Sequence, residues 1–130
     1  MAKQTAAPTN NPIENYQATV NANPNSAEAH SNLGWGYYGQ KQFAEALKAF
    51  QEALRLNPKL VDAHYGRALA LKESGAKIEA VAAFEQVAAL APLMEDTVRA
   101  GMLLRLAHGH INQINKGDWG LAKELYHREG

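Results

Sequence analysis

The sequence predicts an all-α fold, a solenoid of antiparallel helix pairs with a 34-residue period. Three observations predict it. Pro24, Pro58 and Pro92 stand 34 residues apart, and proline stops a helix because it lacks the N–H and clashes with the preceding turn. Between these stops the apolar residues recur at steps of three and four, the spacing of one helix face. No run alternates polar and apolar over the length of a strand. Three evenly spaced stops, at a period between about 20 and 50 residues, signal stacked copies of one unit.

Each element follows in order. Residues 1–12, rich in Ala, Thr, Asn and Pro, are expected to be a disordered tail. Residues 13–24 read as a lone second helix, a half-repeat, because the 34-residue register sets Tyr16 where Phe50 and Phe84 sit. The unit 27–60 opens with a run containing Leu33, Gly34 and Tyr37 on one face. It turns at Gly39-Gln40-Lys41 and continues with Phe43, Ala46, Leu47, Phe50, Ala53 and Leu54. The unit 61–94 copies it, with a helix over Ala63–Glu73, a break at Ser74-Gly75 and a helix over Ile78–Leu90. Ala, Leu, Glu, Gln and Lys dominate these runs and favour helix. The unit 95–130 diverges. Trp119, Ala122 and Tyr126 match the spacing of Phe43, Ala46 and Phe50, but eight residues late. Its first helix is therefore about two turns longer, or a longer loop follows it. Gly101 and Gly109 weigh against an unbroken helix.

The whole-chain numbers narrow the function. A chain of 130 residues is one domain. Thirteen Lys and Arg balance thirteen Asp and Glu, so the basic excess of a nucleic-acid binder is missing. The absence of cysteine removes disulfides, thiolate metal sites and a cysteine nucleophile. Met1 to Asn11 lacks the apolar core of a secretory signal, and no run of about 18 apolar residues could span a membrane. A cytoplasmic location is the expectation.

The landmarks within the units resemble the tetratricopeptide repeat, whose pattern is W-x2-L-G-x2-Y, then A-x3-F, then P. The first unit has His30, Leu33, Gly34, Tyr37, Ala46, Phe50 and Pro58, with His30 in place of the Trp. The second has His64, Arg67, Ala68, Leu71, Ala80, Phe84 and Pro92, looser in its first helix and intact in its second. The resemblance implies a right-handed solenoid whose first helices, one per unit, line a concave groove for peptides. Tyr37, Phe50 and Phe84 are expected to be buried, with the small residues letting the helix backbones approach. His30 and His64 are expected to pack between the helices.

No catalytic constellation is present. There is no phosphate-loop motif, and Gly34-Trp35-Gly36 falls inside a helix. His108 and His110, two apart on a helix, point to different faces, so neither a metal nor a cofactor is expected. Function is left to the groove. At about 100° per residue from His30, Trp35 falls near ~140° and Tyr38 near ~80°, away from the face that carries Leu33, Gly34 and Tyr37. Steps of 34 give the rows Trp35, Leu69, Leu103; Ser31, Tyr65, Arg99; and Tyr38, Lys72, Leu106. Glu28, Asp62 and Asp96 form an edge, where the positive end of each helix dipole already favours acids. The candidate partner-binding residues are Trp35, Tyr38, Tyr65, Leu69, Lys72 and Arg99. The partner expected is a protein or peptide with apolar anchors and an acidic group for the two cations. Family members that hold a chaperone's C-terminal carboxylate resemble a clamp of Lys, Asn, Asn, Lys and Arg. The matching positions here are Ser31, Trp35, Gly66, Asp96 and Ala100, which makes a free carboxylate terminus a poor ligand. The alternative is a structural module that self-associates through an uncapped last unit.

Overall fold

A computed structural model describes residues 11–117. Among them lie six α-helices and one 3-10 turn: α1 (Pro12–Ala22), α2 (Ala27–Gly39), α3 (Phe43–Leu56), α4 (Val61–Glu73), α5 (Lys77–Leu90), the turn Ala91–Leu93, and α6 (Thr97–Lys116). Each helix packs on the next, and α2 also lies against α4. Alternate helices therefore form two layers, with α2 and α4 in one and α3 and α5 in the other.

The helix starts are built locally. Asn11, Ser26 and Asp96 cap α1, α2 and α6, accepting hydrogen bonds from the N–H groups of Ile13, Ala29 and Arg99 at 3.0, 3.1 and 3.0 Å. Pro12 occupies the first turn of α1, where a missing N–H costs nothing. Asn11 and Pro12, assigned to the tail by composition, thus belong to the first helix. The loops after α2 and α4 share a left-handed residue. Gly75 has φ 87°, and Lys41, 34 positions earlier, has φ 62°. His30 and His64 also repeat one bond: each Nε2 lies 2.8 and 2.7 Å from the carbonyl oxygens of Pro24 and Pro58. A carbonyl only accepts, so Nε2 carries the proton in both. The histidines are only half-buried, and each ties a first helix to the proline loop before it.

The core is a chain of aromatic wedges set in gaps left by small residues. Phe50 and Phe84 are fully buried. Phe50 fills a slot between α2 and α4. A Cβ on Gly34 would come within 2.7 Å of its ring, and one on Gly66 within 2.2 Å. Those two positions accept no side chain while the ring is there. Tyr16 lies likewise against Gly36, where a Cβ would meet its ring at 2.7 Å. Tyr37 departs from expectation. It is half-buried, because it sits at the seam between the cluster around Val20 and Leu33 and the cluster around Phe50.

The helix α6 has 20 residues against 13 in both α2 and α4, and it runs unbroken through Gly101 and Gly109. Packing on α5 through Ala100, Leu103 and Ala107 outweighs the propensity cost of the glycines, ~1 kcal/mol each. Trp119, Ala122 and Tyr126 lie outside the described residues.

Candidate functional site

The candidate site is the face shared by α2, α4 and α6. Trp35 and Tyr38 stand one turn apart on α2, with ring centroids at 5.8 Å and planes nearly perpendicular. Tyr65 on α4 continues the row, 6.2 Å from Trp35. All three are half-buried, as is Leu69 on the next turn of α4. Trp35 is not clear of its own unit's core, contrary to its helical-wheel phase. Its ring meets the edge of Phe50 at 5.4 Å, because a long helical side chain leans back over the preceding turn. Two members of the expected rows, Ser31 and Leu103, are buried and line nothing.

The row ends in a polar network that the sequence did not reveal. His110 of α6 is buried and stacks on Phe84, with centroids 4.7 Å apart and planes within 8°. Its Nδ1 lies 2.9 Å from Lys72 Nζ, and its Nε2 3.3 Å from the Tyr65 hydroxyl. An ammonium only donates, so Nδ1 is the acceptor and Nε2 carries the hydrogen. Gln113 gives Lys72 a second acceptor. Burial first, and the Lys72 charge second, push the His110 pKa down to about 4, so the ring is neutral. Burial also lowers the Lys72 pKa and raises those of Tyr65 and Tyr38, Tyr38 with a further contribution from Glu73.

Arg99 is engaged as well. Its guanidinium pairs with Asp62 across the α4–α6 interface, and Asp96 caps the helix that carries it. Arg99 is therefore compensated by Asp62, whereas Lys72 is held between two neutral acceptors and keeps its charge. Asp62 thus pairs with Arg99 and Asp96 is the N-cap of α6 and not a first-turn residue, while Glu28 is exposed. The helical phase offered one signal for His110, which continues the Leu103–Ala107 stripe of α6. Among the described residues no cluster of His, Asp and Glu could hold a metal ion, and no helix is long and apolar enough to cross a membrane.

The clamp positions can now be placed. Ser31, Gly66 and Ala100 are buried, Trp35 lies on Phe50, and Asp96 caps α6. No basic group stands at any of them.

Sequence comparison fits this geometry. Two models of the tetratricopeptide repeat match residues 27–60 and 61–92, together half of the chain. The chain belongs to the tetratricopeptide-repeat family. No curated protein matches it in sequence. Among solved structures, the TPR2B domain of yeast Sti1 in complex with pHsp70 has a TM-score of 0.64 at 17% identity, over 73% of this chain and 78% of that one. The first repeat domain of Spaghetti (RPAP3), bound to the HSP90 peptide SRMEEVD, has a TM-score of 0.61 at 26% identity, over 73% and 75%. MamA has a TM-score of 0.61 at 27% identity, over 91% and 70%.

Proposed function

We propose that the protein is a non-catalytic interaction module, an adaptor or assembly scaffold, that holds a peptide or helix of a partner protein along the concave face of α2, α4 and α6. One observation carries the reading: the row Tyr38–Trp35–Tyr65 is continuous, half-exposed and set on a rigid helical layer. Partly exposed aromatics at the centre of a surface are the residues that dominate interface energies. The Sti1 and Spaghetti structures hold chaperone-derived partners on the same fold, which supports peptide binding as the mode. The clamp positions argue against a free carboxylate as the anchor here. With Arg99 paired to Asp62 and Lys72 held by His110 and Gln113, the ligand binds chiefly through apolar and aromatic side chains.

The test is selection of peptides on the wild-type protein from a displayed library, followed by affinities with Trp35→Ala and Tyr38→Ala. Losing a central aromatic costs about 2 kcal/mol, close to thirtyfold in Kd. Variants that keep their melting temperature and bind the selected peptides like wild type would remove the groove from the argument.

A second reading, self-association, is favoured by another observation. Leu93, Val98 and Met102 are 73%, 75% and 57% exposed at one end of the described helices. Light scattering on wild type and Met102→Glu separates the two readings. A dimer that Met102→Glu dissolves supports self-association, and a wild-type monomer excludes it.

A further inference from the structure

The early turns of α6 carry an exposed stripe. Val98 and Met102 are 75% and 57% exposed, and Arg105 on the next turn is exposed as well. At about 100° per residue the three fall within ~60° of one another around the helix. Glu95, just before the N-cap Asp96, is also exposed and continues the stripe at one further three-residue step. Beyond Arg105 the same stripe is covered: Gly109 is buried and Asn112 half-buried. The bare stretch therefore runs from an acid to a base with two apolar residues between them. Gly101 stands on its flank, where a Cβ would meet nothing within 4 Å, so another backbone can approach closely there.

The order of side chains along this stretch is its own complement. Glu95 and Arg105 stand five positions either side of Ala100, and Val98 and Met102 two. A second α6 laid antiparallel, with a two-fold axis at the level of Ala100, sets Val98 on the partner's Met102 and Glu95 beside the partner's Arg105, each contact made twice. A parallel pairing sets acid on acid and base on base. Among the described residues no hydrogen bond or ion pair engages the side chain of Glu95 or Arg105, so both charges are available to a partner. An unrelated partner has no need of this symmetry. A contact between two identical chains does need it, because one patch has to serve both sides.

We propose that a second copy of this chain occupies the stripe: two α6 helices pair antiparallel about a two-fold axis at Ala100, with Val98 and Met102 at the apolar centre and a Glu95–Arg105 pair at each end. The pairing rests on the self-association reading and gives it a direction and a register. The charges supply that direction and add little affinity of their own. The patch is short of the ~1,200 Å² that stable complexes bury, so the dimer is weak and forms at high protein concentration.

Sedimentation equilibrium of the full-length protein, at low salt and up to millimolar concentration, tests the pairing. Wild type should dimerise, and Met102→Glu should not. Glu95→Arg leaves a stripe with a base at both ends and Arg105→Glu one with an acid at both ends, so each should dimerise at least ~10-fold more weakly than wild type. The double variant Glu95→Arg with Arg105→Glu restores both pairs in reverse and should dimerise like wild type. Glu28→Arg changes the net charge as Glu95→Arg does, on an exposed residue of α2, and should leave dimerisation unchanged. All these substitutions are at exposed side chains, and equal melting temperatures verify the fold. If Met102→Glu dissolves the dimer while Glu95→Arg and Arg105→Glu dimerise like wild type, self-association stands and the antiparallel register is overturned. If the double variant is no stronger than the single ones, the register is overturned as well. A wild type that stays monomeric, or a dimer that Met102→Glu leaves intact, overturns both the register and the reading beneath it.

Discussion

Phe50 is the residue on which the first two units depend, and its slot allows a prediction with a change of sign. Its ring is fully buried between Gly34 and Gly66, with Trp35 on its edge at 5.4 Å. Burial of a phenylalanine is worth ~1.5–3 kcal/mol in transfer alone, and truncation to alanine adds a cavity term for ~3–5 kcal/mol in all. The two flanking residues of the slot are glycines, so it can close only if whole helices move. Phe50→Ala should therefore fall in the upper half of that range, against a total stability of ~5–15 kcal/mol for a domain. The melting temperature should drop by ~12 °C or more. Gly34→Ala supplies the decisive comparison. In wild type the new methyl meets the trapped ring at 2.7 Å, and the ring has Gly66 behind it, so the variant loses stability. In the Phe50→Ala background the obstacle is gone. The same substitution then gains up to ~1 kcal/mol, the ordinary advantage of alanine over glycine inside a helix. Urea melts of wild type, the two single variants and the double variant measure the cycle. Additive effects, or a Gly34→Ala that stabilises wild type, would refute the wedge.

Two other perturbations have defined outcomes. The folded state holds the His110 pKa at about 4, below the ordinary 6.5 that the ring has when unfolded. The unfolded chain therefore binds the proton first, and stability present above about pH 6.5 declines as pH falls toward 4; His110→Phe, which keeps the stack on Phe84, should flatten that part of the melting-temperature curve. Lys41 holds a left-handed φ of 62° where the equivalent turn has Gly75, so Lys41→Gly should raise stability by roughly 0.5–1 kcal/mol in a denaturant melt.

The fold was legible because its signals are periodic. The proline spacing, the small residues at Gly34, Ala46, Ala68 and Ala80, and the aromatics at 50 and 84 each state a local rule twice, and local rules that agree specify one packing. The site was legible only in part. A helical wheel places a Cα around an axis but says nothing of how far a side chain leans, so it missed the contact of Trp35 with Phe50. It also ranks cations by phase alone. Lys72 and Arg99 fell on the face that α4 and α6 share, yet their partners, His110 and Asp62, lie on neighbouring helices 38 and 37 residues away. Pairing at that range depends on how neighbouring helices sit against each other, which the 34-residue spacing does not record.

The contact between Trp35 and Phe50 binds recognition to stability, and this decides how the groove has to be probed. Trp35 lies in the partly buried shell of the cluster that holds Phe50, so its truncation removes an edge-to-face aromatic pair, worth ~0.5–1.5 kcal/mol beyond the area lost. A loss of binding by Trp35→Ala therefore mixes a missing anchor with a loosened wedge. Tyr38 is the cleaner probe. It touches Trp35 and Phe43 and lies in the same shell, but no ring contact joins it to Phe50 or Phe84. If the groove is the binding surface, the two variants should lose similar affinity while Trp35→Ala, which has three ring contacts including Phe50 against two for Tyr38, loses more stability than Tyr38→Ala. Trp35→Ala weakening binding while Tyr38→Ala leaves it intact would mean that Trp35 acts through the fold, and that the aromatic row is the outer layer of the core.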